Sequence, residues 1–110
     1  MPTTNYKVLG QVNPSATTLT TLYTAPASTQ AVISTIVIAN LTGTAATFRI
    51  AVRVAGASIA NAQYLAYDIT VGAADSTALT LGITMNATDV LSVYASTANL
   101  AFSAFGSETA

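Results

Sequence analysis

Seven side chains carry charge in this sequence of 110 residues: Lys7, Arg49, Arg53, Asp68, Asp75, Asp89 and Glu108. Acid–base, ionic or metal chemistry would have to be built from them. Two carboxylates flanking a glycosidic bond make a glycoside hydrolase, but no spacing here pairs two acids. Asp75 and Asp89 fall in turns, where an aspartate ordinarily accepts hydrogen bonds from nearby backbone. A calcium site needs several converging oxygens, and the acids are scattered. The sequence contains no histidine and no cysteine. The usual general base, the thiolate nucleophile and the commonest soft metal ligands are therefore missing from its composition. Serine and threonine are plentiful, yet a hydroxyl nucleophile needs an activating base, and only Lys7 could supply one. The expectation is a protein without catalytic residues, metal or cofactor.

One constellation of polar and aromatic residues remains. Arg49 and Arg53 alternate with apolar residues in the segment 47–54, and Tyr64 and Asp68 share one side of the segment 62–71. Should the two segments be neighbouring strands, Arg49, Arg53, Tyr64 and Asp68 occupy one outer face, and Asp68 reaches one of the arginines. Such cross-strand pairs contribute roughly 0.2–1 kcal/mol. The face could hold a glycan against Tyr64. The expected role, however, is contact with another subunit. Two cations are too few for a polyanion.

The segments that position these residues read as short strands. The most apolar is AVISTIVIAN, residues 31–40, rich in β-branched side chains and free of glycine, proline and charge. Simple alternation places Ile33 and Val37 on one side and Val32, Ile36 and Ile38 on the other. A strand apolar on both sides is buried on both, so one side is expected to meet the protein's own core and the other a further surface. Strands are expected at 5–12, 18–24, 31–40, 47–54, 62–71, 76–85, 90–96 and 100–106, with turn signals such as Asn13-Pro14-Ser15, Pro26 and Gly72 between them. Segments 31–40 and 47–54 are expected to form a hairpin, with Phe48, Ile50, Val52 and Val54 facing inward. Leu65, Tyr67, Ile69 and Val71 are expected on one face of their strand. Gly82 signals a bulge. Phe102 or Phe105 is expected beside Leu91 and Val93, and the tail 107–110 to be loosely held. No window sustains a helical apolar period. The pattern implies an all-β fold: one antiparallel β-sandwich domain, 1–110, of about eight strands, with immunoglobulin-like or jelly-roll-like connections.

Composition bears on partners. Charged residues make up 6% and apolar residues 52% of the chain, against an average charged content of about 25%. A surface with so little charge is expected to be covered by copies of the chain or by other proteins. Few charges or prolines guard strand edges, so a neighbour is expected to cover at least one. A net charge of −1 argues against nucleic acid, which needs clustered Lys and Arg. No apolar run approaches the ~18 residues of a membrane-spanning helix, so no membrane partner is expected, and the opening residues contain no hydrophobic signal core. The sequons at Asn40 and Asn86 are expected to be fortuitous.

The segments YKVLGQ (6–11), TTLYTAPAST (20–29), IVIANLTGTAATFRIAV (36–52), YLAYDI (64–69), LTLGIT (79–84), TDVLSVYAST (88–97) and LAFSAFGSE (100–108) occur in this order along nearly the whole chain. As an ordered set they resemble a family of small all-β virion structural proteins of tailed bacteriophages. The resemblance implies a tailed-phage structural protein, made in the host cytoplasm and located in the virion, and is compatible with the tail, baseplate or fibre apparatus and with the capsid. The reading taken is a homo-oligomeric building block of the tail, baseplate or fibre apparatus. Capsid decoration is the alternative position. Outside that role, a host-glycan recognition module and a self-assembling extracellular filament are the alternatives. The resemblance implies no catalytic residues.

Overall fold

The structure is a computed structural model and describes residues 3–110. Its nine strands are β1 (Thr4–Val12), β2 (Thr20–Thr24), β3 (Gln30–Asn40), β4 (Ala46–Arg53), β5 (Tyr64–Val71), β6 (Ser76–Leu79), β7 (Ile83–Met85), β8 (Val90–Ala95) and β9 (Leu100–Thr109). They form two antiparallel sheets packed as a sandwich. One sheet runs β1-β9-β3-β6, with β7 also on β3; the other runs β2-β8-β4-β5. The expected strand 76–85 is split at Gly82, which has φ +63, into β6 and β7. Both halves lie along β3.

Taking β6 and β7 as one interrupted strand, β1 pairs with β9, β2 with β8, β3 with β6–β7 and β4 with β5. The pairs nest, as in one long antiparallel ribbon rolled up. This is the jelly-roll order, the second of the two expected connections.

The interior is closed by the two sheets in register. Phe48 on β4 meets Phe102 on β9 edge to face, with centroids 6.1 Å apart. Around them Ile33, Ile36, Ile38, Ile50, Leu91 and Leu100 are fully buried. Each such side chain contributes roughly 1.5–3 kcal/mol by leaving water. Phe102 is thus the expected aromatic partner of Leu91 and Val93; Phe105 lies on the outside.

Simple alternation fails in β3 because Ser34 is an extra residue. The pairing of β3 with β9 shifts between Ile33 and Thr35. The bulge carries Ile33 to the same side as Ile36 and Ile38, and leaves Val32 and Val37 on the outside. The strand is therefore buried on one face, and its other face is apolar but uncovered.

The expected β3–β4 hairpin is replaced by a crossover. Each strand buries a face in the same core, so they stack across the interior, and β9, β6–β7, β8 and β5 take the neighbouring places. Asn40 holds the crossing. Its Nδ2 donates to the carbonyls of Thr44 at 2.8 Å and Gly72 at 3.1 Å, and its Oδ1 accepts from the Thr42 N–H at 3.1 Å. These bonds also occupy the amide that glycosylation would need.

β4 ends earlier than expected: Val54 enters a 3-10 turn with Ala55 at φ 53 and is exposed. The tail is strand rather than loose. Ser107, Glu108 and Thr109 pair with both β1 and β3, and the backbones of Thr3 and Ala110 bond reciprocally at 2.9 and 3.1 Å. Glu108 is a further tie. Lys7 Nζ lies 2.6 Å from its Oε1, and Tyr23 of the opposite sheet donates its hydroxyl to Oε2.

All four edge strands are irregular. The register shifts in β1 between Val8 and Gly10, in β2 between Thr21 and Tyr23, and twice in β5 opposite β4; β6–β7 is broken at Gly82. Bulges guard edges as charges and prolines do. Apart from the break at Gly82, the sequence alone hides them, so the apparent shortage of guards was no sign of a covered edge.

Two outcomes follow. Ile36→Lys and Ile38→Lys are expected to abolish folding, because an unpaired buried ammonium costs several kcal/mol of a typical 5–15 kcal/mol stability; native-like circular dichroism and yield for both would contradict the β3 placement. The hydrogen bonds from Lys7 and then Tyr23 hold the Glu108 carboxyl below its ordinary value of 4.5. The resulting stabilisation is complete above that value and is lost as pH falls through the lower folded-state value. Melting temperature against pH is expected to fall less steeply below 4.5 in Glu108→Gln than in the wild type.

Candidate functional site

The outer face of the four-stranded sheet gathers the polar aromatic cluster. On β4, Phe48 and Ile50 point inward, which turns Arg49 outward. β5 presents its residues to β4 with two register shifts, one between the partners of Phe48 and Ile50 and one between those of Ile50 and Ala51. The shifts put Ala66, Ile69 and Val71 in register with inward residues of β4, and leave Tyr64, Tyr67 and Asp68 beside outward ones. Asp68 sits at φ 53, a left-handed conformation that aspartate tolerates better than most residues. The single face expected for Leu65, Tyr67, Ile69 and Val71 is thus divided. Leu65, Tyr67 and Ile69 are largely exposed and only Val71 is buried. An edge strand with two bulges cannot keep strict alternation.

Arg49 is the centre of this face. Its Nε donates to Asp68 Oδ1 at 2.7 Å and its terminal nitrogen to Oδ2 at 3.3 Å, a bidentate pair. The guanidinium stacks over Tyr67 at 4.1 Å and over Tyr94 of β8 at 4.3 Å. Tyr64 meets Tyr67 edge to face, with centroids 5.0 Å apart. The hydrogen bond to Asp68 raises the Arg49 pKa further above its already high ordinary value, so the charge is permanent. A shallow groove lined by Asn61, Tyr64 and Tyr67 adjoins the cluster.

Of the four residues singled out from the sequence, the structure brings together Arg49, Tyr64 and Asp68. Arg53 stands apart. Its Nε donates to the buried Ser92 hydroxyl at 3.1 Å, and its terminal nitrogen to the Ala57 carbonyl at 3.2 Å, which fastens the loop after β4. Tyr67 and Tyr94 are members that sequence reasoning missed. Tyr67 was assigned inward by an alternation that the bulges break, and Tyr94 joins through the β4–β8 register, which pairs it with Arg49.

The remaining acids are structural. Asp89 accepts the Ala55 and Asn86 N–H groups, each at 2.9 Å, and Asp75 the Ser76 N–H at 2.8 Å. Among the described residues no three acids converge as metal ligands, and no helix is long and apolar enough to cross a membrane.

The outer face of the five-stranded sheet was also missed as a set. In register it carries Tyr6 and Val8 of β1, Phe105 of β9, and Val32 and Val37 of β3. Tyr6 is 85% exposed and Val8 50%. The one signal for it was the second apolar side of segment 31–40.

The sequence matches no family model, and no curated protein matches it. Among solved structures it is similar to a chain in the structure of infectious bursal disease virus, Gx strain, with a TM-score of 0.51 and 14% identity. The match covers 98% of this chain and 31% of that chain. The present sequence thus spans less than a third of that viral polypeptide. At this identity the likeness shows a shared fold.

The ion pair is testable. Asp68→Asn keeps a residue suited to the left-handed position and removes the charge. It is expected to lower the melting temperature at low ionic strength, with the difference from wild type shrinking toward 1 M salt, where screening acts within about 3 Å. A difference unchanged by salt would show that backbone strain, rather than the pair, sets the effect.

Proposed function

We propose that this chain is a non-catalytic structural building block of a virion, assembling with copies of itself and with other virion proteins. One observation carries the reading: every charged side chain is engaged within the chain. Lys7 pairs with Glu108 and Arg49 with Asp68, Arg53 is bound to Ser92 and a loop carbonyl, and Asp75 and Asp89 accept backbone N–H groups. Seven charged side chains are little ionic coating for a surface of this size, and large apolar side chains stand exposed on both outer faces. A surface of this kind suits a subunit that repetition covers. The jelly roll is a fold used by viral capsid domains as well as by lectins and cupins.

Within that role the proposed place is the tail, baseplate or fibre apparatus of a tailed phage, with capsid decoration as the alternative; the ordered resemblance to tailed-phage virion proteins is compatible with both. A second reading, a glycan-binding module, is favoured by the groove beside Tyr64 and Tyr67. It is weakened by the engagement of the Tyr67 ring with Arg49 and Tyr64. Glycan-array binding abolished by Tyr64→Ala would establish that module, and negative-stain images of the purified protein would reveal the alternative of a self-assembling filament.

The deciding experiment is to purify particles, detect the chain by mass spectrometry and locate it with labelled antibody. Label on the tail or baseplate is the expected result. Label on the head makes it a decoration protein, and absence from the particle overturns the reading.

A further inference from the structure

The irregular edges and the charge distribution together point to one surface. A regular strand from a second molecule would find a bulge or a break on each of the four edges, and on β1 also Lys7. Edge-to-edge extension is thereby opposed, and the broad faces are left for association. These faces differ. The four-stranded sheet presents Arg49, Arg53 and Asp68 outward. Among the described residues, the outward positions of the five-stranded sheet hold no charged side chain. Lys7 and Glu108 belong to its strands, but in register they share the inward side with Ile33 and Ala31, where Tyr23 meets Glu108.

We propose, on the building-block reading above, that the outer face of the five-stranded sheet packs against the same face of a second copy. In an isologous contact a patch meets itself, so any charge on it is brought near its own like. This face contains none and is complementary to itself. It also gathers large apolar side chains among its serines and threonines. Val8 stands opposite Phe105, Tyr6 opposite Ser107, and Ser107 opposite Val32. Val32 is 40% exposed and Phe105 36%. Aromatic enrichment with depletion of charge is the composition of an interface centre. Two such faces would stack at about 10 Å, as sheets do within a sandwich.

The test is sedimentation velocity of the full chain and three variants, with circular dichroism to confirm folding. Wild type is expected to form dimers or multiples of dimers. Val32→Lys and Phe105→Lys are each expected to weaken association at least roughly 100-fold, since a two-fold contact places two uncompensated ammonium groups in one interface. Thr70→Lys, on the outer face of the other sheet, is expected to leave it unchanged. If Val32→Lys or Phe105→Lys does not fold, Tyr6→Lys at the most exposed position of the face gives the same readout. Association that survives the changes on this face but is lost in Thr70→Lys overturns the proposal and leaves the building-block reading standing. A wild-type monomer at every concentration also overturns it, while particle labelling separately decides the building-block role.

Discussion

A sandwich coheres only if every strand turns its apolar side chains toward the same interior, and period-two alternation is the geometric rule that enforces this. In this chain the rule is interrupted at chosen places, and the structure depends on those interruptions. Without the extra residue at Ser34, Ile33 would leave the side shared by Ile36 and Ile38, and β3 could not contribute all three to the layer that meets Phe48 and Phe102. The bulges of β5 act in the same way. They free Tyr67 and Asp68 to meet Arg49 while Ala66 and Val71 keep to the inner register. Each irregularity therefore sets packing within the subunit and, by turning other residues outward, sets what the subunit shows to its surroundings.

The treatment of charge follows the same economy. A long side chain such as Arg49 could have remained solvated. Instead its guanidinium is sandwiched between two tyrosine rings and clasped by Asp68. Arg53 lies across Ser92, and Glu108 joins three strands from both sheets. The few ionic groups thus act as fasteners within the chain, and the outer face of the five-stranded sheet is left to Thr, Ser, Gln and apolar residues. This distribution is what links the sequence to the proposed assembly.

The fold class was legible because β-branched runs separated by Gly, Pro and Asn turns admit few other arrangements, and Gly82 announced its own bulge. The Arg49–Asp68 contact was legible for the same reason: both residues interrupt apolar alternation on adjacent segments. What could not be read were the bulges made without glycine, at Leu9, Leu22, Ser34, Leu65 and Asp68. An ordinary side chain carries no local mark that it is supernumerary; its place is settled by the partner strand. For that reason Val32 was assigned to the wrong side, Tyr67 was placed inward, and the β3–β4 connection was taken for a hairpin. Tyr94 was invisible as a neighbour of Arg49 because sheet order depends on contacts between distant segments.

The nesting of strand pairs has a kinetic corollary. β9, formed late in the sequence, lies between β1 and β3, so the larger sheet has a gap at its middle until that strand has emerged. On a translating ribosome the nascent chain must keep β3 unpaired along one side until β9 has emerged. The loop-closure entropy of the β1–β9, β2–β8 and β3–β9 pairings is then met late and together, as in a slow, high-contact-order folder. Such a chain has reason to rely on chaperones, or on rapid capture by neighbours, in the interval before its layers close.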